Sequence, residues 1–428
     1  MVGKDMDEVD VVVIGAGQAG LSSAYFLRRF GYDPLVLDAD EGPGGAWRHR
    51  SPTLTMDKIH GVFDLPGMRR TPDNAANLPA ATVVPAYYAA YERELGLEVH
   101  RPVKVTAVEP GPADRLLITA ELPAPSADPA TATHADGPVA AAALPATSAD
   151  PASAPHADGS VAPAARADRH PVTARVHATR AAGSGVNEEG SRTAVWAARA
   201  VVNATGTWTR PYWPYYPGAA DFRGRQLHYA SYRGPAEFAG LRVVVVGGGH
   251  SATHVLAELA GVARETIWVT RREPELRDDD FGEQARREAV ARVEARVRAG
   301  LPPQSVVSVT GLGDTPVVRQ AMEAGALRRW PMFERITAGG VVWPDGRYEE
   351  ADVIVWATGF RSALDHLAPL RLREPGGGIK VDGTRVLREP RLQLVGYGPS
   401  ASTVGANRAG RDAARAVRRL LAERSAAA

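Results

Sequence analysis

Gly15-Ala16-Gly17-Gln18-Ala19-Gly20 and Gly247-Gly248-Gly249-His250-Ser251-Ala252 are two glycine-rich loops in one chain, and their reading decides the fold. Each follows a β-branched run, Val9–Ile14 and Val243–Val246, and each leads into an apolar helical pattern. In a strand–loop–helix setting the first glycine makes the tight turn. The second lets phosphates approach the backbone, and the third lets helix and strand pack closely. A pyrophosphate then sits at the helix N-terminus, where free N–H groups and the helix dipole favour an anion. One such loop is a weak signal. Two in the same context predict two dinucleotides brought together in an α/β chain of two nested Rossmann-like domains.

Around the first loop, residues 9–38 read as strand Val9–Ile14, helix Leu21–Phe30 and strand Leu35–Asp38. Gly15, Gly17, Gln18, Ala19 and Gly20 are the expected phosphate-binding residues. Asp38 closes the second strand, where an acidic side chain accepts the hydroxyls of an adenosine ribose. The second unit runs from Leu241 to Arg272, with strands Arg242–Val246 and Thr266–Thr270 and helix Ser251–Ala260. Gly247, Gly249, His250 and Ser251 form its loop. The acid expected after its second strand is missing, and Arg271 and Arg272 follow instead. A basic residue there suits a 2′-phosphate, so NADPH is favoured over NADH. One of the two arginines is expected to bind it, Arg271 being preferred, and the other is a surface charge.

The chain has 428 residues, enough for about two to three domains, a formal net charge of +1 and no cysteine. Near-neutrality gives no field that pulls it to nucleic acid or membrane. The acidic start Met1–Asp10 does not read as a secretory signal, and no run of about 18 apolar residues suggests a span, so a cytoplasmic location is expected. Absence of cysteine excludes disulfides, thiolate metal sites and catalytic thiols. It also excludes two-nucleotide flavoenzymes that need a redox-active cysteine pair. Residues 121–190 are rich in Ala, Pro, Asp and Ser. Ser126-Ala127-Asp128-Pro129-Ala130 recurs at Ser148–Ala152, and His134-Ala135-Asp136-Gly137 at His156–Gly159. No periodic apolar face accompanies the repeat, so the segment reads as a duplicated, largely disordered insertion at a hairpin tip, between strands Leu116–Ala120 and Val172–Ala178. No metal site is expected from its two histidines.

Phe222, Gly224, His228 and Tyr232 stand shortly before the second loop in the pattern Phe-x-Gly-x-x-x-His-x-x-x-Tyr. This resembles the identifying sequence of flavin-containing monooxygenases, and the final Tyr differs from the Trp usual in Baeyer–Villiger relatives. Gly44-Gly45-Ala46-Trp47 resembles the family's Gly-Gly-x-Trp segment. Asn203-Ala204-Thr205-Gly206 and Trp356-Ala357-Thr358-Gly359-Phe360 resemble its two Ala-Thr-Gly crossings between domains, and Leu394–Gly398 its last flavin-domain strand. The resemblance covers nearly the whole chain except the insertion.

It implies FAD at the first loop and NADPH at the second, with Gly45, Trp47, Gly206, Thr358 and Gly359 near the cofactors. A discontinuous flavin domain would take residues 1–230 and 351–428, with the nicotinamide domain at 231–350. Leu21–Phe30 and Arg411–Leu420 would pack on the flavin sheet, and 283–299 would be an exposed helix of alternating charge. NADPH would reduce FAD, and O₂ would form a C4a-hydroperoxyflavin that oxygenates a small molecule bearing a soft nitrogen or sulfur nucleophile. His228 would have a structural or gating role in this motif. A homodimer is compatible with the sequence.

One departure bears on the chemistry. Family members carry an Asn after Gly-Gly-x-Trp, near the flavin's reactive carbon. Here an ungapped placement puts Asp57 there, with His60 one turn on. An ionised Asp57 accepts from a ribose but cannot donate. His60 would donate instead, or speed peroxide loss by proton transfer. Both being loop residues remote from the flavin is the alternative. An NADPH oxidase releasing hydrogen peroxide therefore competes with the monooxygenase. A non-catalytic FAD/NADPH sensor is a third reading, opposed by survival of both loops, Asp38 and the linking motif.

Overall fold

The computed structural model describes residues 7–59, 62, 64–70, 75–123, 192–277, 283–304, 311–401 and 403–427. β1 (Asp7–Ile14) is buried from Val11 to Ile14, as in a parallel strand covered on both faces. The loop after it turns directly into α1 (Gln18–Arg29). Gly15 has φ +95°, and a Cβ on it would lie 2.7 Å from the Ala204 carbonyl oxygen. A Cβ on Gly20 would lie 1.8 Å from the Gly15 oxygen. These two positions admit only glycine, and α1 begins at Gln18 rather than Leu21 because the loop itself closes the first turn.

β2 (Leu35–Leu37) pairs with β1 in parallel. α2 (Ala80–Glu94) buries Tyr87, Tyr88 and Tyr91. The Tyr87 hydroxyl accepts from the Leu65 N–H at 2.7 Å and donates to the Met68 carbonyl at 2.8 Å, and Tyr91 donates to the Pro66 carbonyl at 2.7 Å. The helix thereby holds Leu65-Pro66-Gly67 in place. β3 (Val99–His100), β4 (Lys104–Pro110), β5 (Leu116–Leu122) and β6 (Arg192–Asn203) follow.

β6 is shared: its first half pairs antiparallel with β5, from Leu116↔Ala198 to Leu122↔Arg192, and its length from Trp196 to Asn203 pairs parallel with β1. The antiparallel partner of β5 was expected at Val172–Ala178, which lies outside the described residues together with both repeats. The structure pairs β5 with β4 and with the start of β6 instead. The Leu122↔Arg192 pair closes a hairpin across the inserted segment.

The second unit comprises β7 (Arg225–His228), β8 (Arg242–Val246), α3 (His250–Leu259), β9 (Glu265–Thr270), β10 (Leu276–Arg277), α4 (Glu283–Arg298), β11 (Leu312–Gly313), α5 (Pro316–Glu323) and β12 (Arg329–Pro331). A three-stranded antiparallel sheet follows, of β13 (Arg335–Thr337), β14 (Gly340–Val342) and β15 (Tyr348–Glu350), and then β16 (Val353–Trp356). Its main sheet is parallel throughout, in the order β12-β9-β8-β16-β7. It draws on chain outside 231–350: β7 and β16 pair with each other, because an all-parallel sheet needs β16 between β8 and β7 to bury its Val-rich face.

The chain then returns to the first sheet through β17 (Val381–Asp382), β18 (Arg385–Val386) and β19 (Leu392–Leu394), and ends in α6 (Thr403–Ala427). That sheet runs β17-β18-β19-β6-β1-β2-β3. Two hydrophobic clusters line its opposite faces: one holds Val12, Ile14 and Leu394, the other Val11, Val13 and Leu21 with Ala413 and Val417 of α6. The second sheet has its own pair, around Val243 and Val245 and around Val244 and Val246. Among the described residues no helix is long and apolar enough to cross a membrane.

Candidate functional site

The first loop ends at Gly17, the N-cap of α1, which carries no side-chain cap. Its free N–H groups are the donors that an anion at a helix start needs. Gly45 packs against it so closely that a Cβ on Gly45 would lie 2.8 Å from the Gly17 Cα. The Gly44–Trp47 segment thus forms one wall beside this loop. Gln18 donates to Asn407 Oδ1 at 3.3 Å, Ala19 packs against the core, and Gly206 begins the crossing after β6. Asp38 is buried at the end of β2, but it is not a free carboxylate. Arg101 Nε donates to its Oδ2 at 2.9 Å while the guanidinium forks onto Glu92 at 2.7 and 2.8 Å. Burial raises the Asp38 pKa against the opposing pull of Arg101. This Glu92–Arg101–Asp38 chain had no local signal in the sequence.

In the second loop a Cβ on Gly247 would lie 2.2 Å from the Ala357 oxygen, so the loop abuts the end of β16. Gly249 caps α3 with no side chain, and His250 and Ser251 form its first turn. Arg271 and Arg272 are both exposed just beyond β9, and among the described residues neither has an ion-pair partner.

Two antiparallel segments join the units. Pro211 bridges Phe360, the Tyr212 N–H donates to the Gly359 carbonyl at 2.9 Å, and Thr358 donates to the Tyr212 carbonyl. Thr205 donates to the Ala363 carbonyl at 2.6 Å. The two Ala-Thr-Gly turns are therefore stitched together. His228, buried at the end of β7, fastens this crossing: its Nε2 lies 3.0 Å from the Gly359 carbonyl and its Nδ1 accepts from the Ala230 N–H at 3.1 Å. Nδ1 as acceptor makes Nε2 the donor. Burial lowers its pKa, and the Gly359 carbonyl acts in the opposite sense. Backbone partners occupy both nitrogens and leave neither for proton transfer, which suits a positioning role rather than a catalytic one.

Tyr232, the last residue of the motif, is fully buried and donates to Glu258 Oε2 at 2.9 Å. Glu258 on α3 also accepts from Thr53 at 2.8 Å and from Lys58 at 3.4 Å, and its Oε1 lies 3.1 Å from His254 Nε2. Burial would raise its pKa, but His254, Thr53 and Tyr232 overcome that and hold it near 2. One carboxylate thus joins the loop after Trp47, the linking motif and α3. The sequence carried no sign of this cluster, since Thr53 and Glu258 are far apart in the chain.

A cavity of about 130 Å³ opens beside this cluster, lined on the first unit's side by Trp47, Arg50, Leu54 and Lys58 and on the other by His250, Ser251 and His254. Asp57 is not part of it. It is exposed, and its carboxylate accepts from the Thr55 hydroxyl. The neighbouring Lys58 faces the cavity instead. His60 lies outside the described residues. The second loop therefore opens on a cleft whose facing wall is the segment from Trp47 to Ile59, next to the Gly45 that packs on the first loop, and both loops present uncapped helix N-termini that suit phosphates.

A family model described as pyridine nucleotide-disulphide oxidoreductase matches residues 9–386. A flavin-containing monooxygenase from Stenotrophomonas maltophilia is 33% identical in its solved structure, with 96% of this chain and 98% of that one covered at a TM-score of 0.69. The chain belongs to the flavin-containing monooxygenase family. Flavin-containing monooxygenases of this kind depend on FAD and NADPH, and the chain is accordingly an NADPH-dependent flavoprotein oxidoreductase. The indole-3-pyruvate monooxygenase YUCCA4 of Oryza sativa subsp. japonica is 27% identical over 397 residues, covering 85% of this chain and 77% of the relative. A bacillithiol disulfide reductase from Bacillus cereus shares the fold alone, at 15% identity, TM-score 0.58 and coverage of 96% and 99%. The chain itself has no cysteine and therefore no thiol chemistry of its own.

Proposed function

We propose that this flavin-containing monooxygenase binds FAD at Gly15–Gly20 with Gly45, Trp47 and Asp38, and NADPH at Gly247–Ser251 with Arg271 or Arg272. It then transfers one oxygen atom of O₂ to a small molecule with a soft nucleophilic atom, a sulfide sulfur or an amine nitrogen. The observation that carries this reading is the cavity shared by Trp47 and Lys58 of one unit and His250 and Ser251 of the other. Bound flavin supplies the redox chemistry, taking hydride from the nicotinamide and activating O₂.

The chain's own residues position and shield. Gly17 and Gly45 leave room for phosphates on the first helix, and Asp38, fixed by Arg101 on Oδ2, offers its carboxylate to a ribose hydroxyl. His228 and the stitched crossing fix the distance between the two nucleotides. Trp47, Leu54 and Ile59 give the cleft an apolar wall that keeps water from the reacting atoms. Asp57, exposed and outside that lining, offers no donor where other family members carry Asn, which favours a second reading, an NADPH oxidase. The test is the balance of products. With thioanisole and NADPH, the monooxygenase yields sulfoxide in proportion to NADPH consumed, and the oxidase yields hydrogen peroxide whether or not the sulfide is present.

A further inference from the structure

The cavity's basic side chains on the first unit come from the segment after Trp47, namely Arg50 and Lys58. The Arg50 guanidinium lies 4.4 Å from the ring centroid of Trp208 and 5.4 Å from that of Trp47. Its other close neighbour is the Tyr229 hydroxyl. Its Nε is sealed from solvent and has no hydrogen-bond partner among the described residues, and no carboxylate there pairs with it. A guanidinium whose Nε is sealed from water without a partner or counter-charge is costly and is retained where a ligand supplies the anion. Among the described residues Lys58 makes only long contacts, 3.4 Å to Glu258 and 3.4 Å to the Thr53 carbonyl, and an ammonium has three donors. Across the cavity the first turn of α3 presents the uncapped N–H groups behind Gly249.

Given the reading of α3 as the start of the nicotinamide-nucleotide site, we propose that Arg50 and Lys58 of the flavin unit complete that site and grip the dinucleotide's diphosphate across the interface. A carboxylate on the organic substrate has the same chemistry. The diphosphate is the better match because the helix N-terminus of a glycine loop opens on the same cavity as both cations. The nucleotide is then held by both units at once and clamps them together, which slows its departure after hydride transfer. Glu258, accepting from Lys58, holds that lysine at the rim of the site.

The test uses the FAD-loaded enzyme, with NADP⁺ and NAD⁺ affinities read from the change in flavin absorbance, and variants Arg50→Met, Arg50→Lys and Lys58→Gln. The wild type binds NADP⁺. Arg50→Met weakens it about tenfold to a hundredfold and Lys58→Gln about tenfold, as loss of a charge-assisted contact does. Arg50→Lys recovers part of the loss. The diphosphate is common to both nucleotides, so NAD⁺ weakens by the same factor, unlike in Arg271 and Arg272 variants, where only NADP⁺ suffers. FAD content and Tm, measured alongside, separate a binding effect from misfolding, and Lys58→Gln serves if Arg50→Met does not fold. Unchanged NADP⁺ affinity in Lys58→Gln and in folded Arg50 variants overturns the proposal. So does a rise confined to the KM of (phenylthio)acetate relative to thioanisole, which assigns the cations to a substrate carboxylate. A wild type that binds FAD but no NADP⁺ overturns the nicotinamide reading itself, and this inference with it.

Discussion

Glu258 accepts hydrogen bonds from Thr53 and Tyr232, which belong to separate segments, and faces Lys58 and His254. Its pKa near 2, against an ordinary 4.5, means that the folded state favours the carboxylate. The stability it contributes is complete above about pH 4.5 and is lost as pH falls through 2. Glu258→Gln leaves Lys58 without its counter-ion and is expected to cost about 3 kcal/mol in denaturant unfolding at pH 7. His366 works in a different window. Its Nε2 lies 2.6 Å from Asn203 Oδ1, and burial pushes its pKa down to about 4, Asp365 opposing. The unfolded chain binds this proton first, so stability is full above about pH 6.5 and falls as pH drops towards 4, by up to about 3 kcal/mol. Thermal unfolding across that range should flatten in His366→Gln, and an unchanged slope would count against the assignment. Neither residue stood out in the sequence. Gly15, Gly20 and Asp38 did, because their roles follow from the turn and strand that contain them. Arg101, Glu258, Arg50 and His366 act only through partners distant in the chain, which no local pattern carries.

The glycine loops decide function at the scale of elements. Gly20→Ala drives a Cβ into the Gly15 oxygen and must displace α1 from its loop. FAD retention after gel filtration should fall more than tenfold, while secondary structure measured by circular dichroism persists. Gly247→Ala meets the Ala357 oxygen and holds a left-handed φ of +148°. It should weaken NADP⁺ binding and leave FAD bound, and loss of both together would mean that the two loops are not independent sites. The strands flanking each loop were legible from their Val-rich runs. The membership of β7 and β16 in the second sheet was not, because four-residue strands carry no period that distinguishes one sheet from the next.

Across the whole molecule, two sheets are joined by a stitched pair of segments that His228 fastens to Gly359. His228→Ala removes a buried link between units rather than a proton donor. It should lower Tm and slow flavin reduction by NADPH, yet leave the pH profile of turnover unshifted. The inserted segment lies beyond the Leu122↔Arg192 pair, so replacing residues 124–190 with a short turn should keep FAD content and change Tm by only a few degrees. The proposed function, with both nucleotides in one cleft and oxygen passing from there to a substrate, sets the product balance. It is tested most directly by counting products per NADPH consumed by the FAD-loaded enzyme with saturating thioanisole. Close to one sulfoxide and little hydrogen peroxide per NADPH are expected. One hydrogen peroxide per NADPH, with no sulfoxide and no dependence on thioanisole, would contradict it.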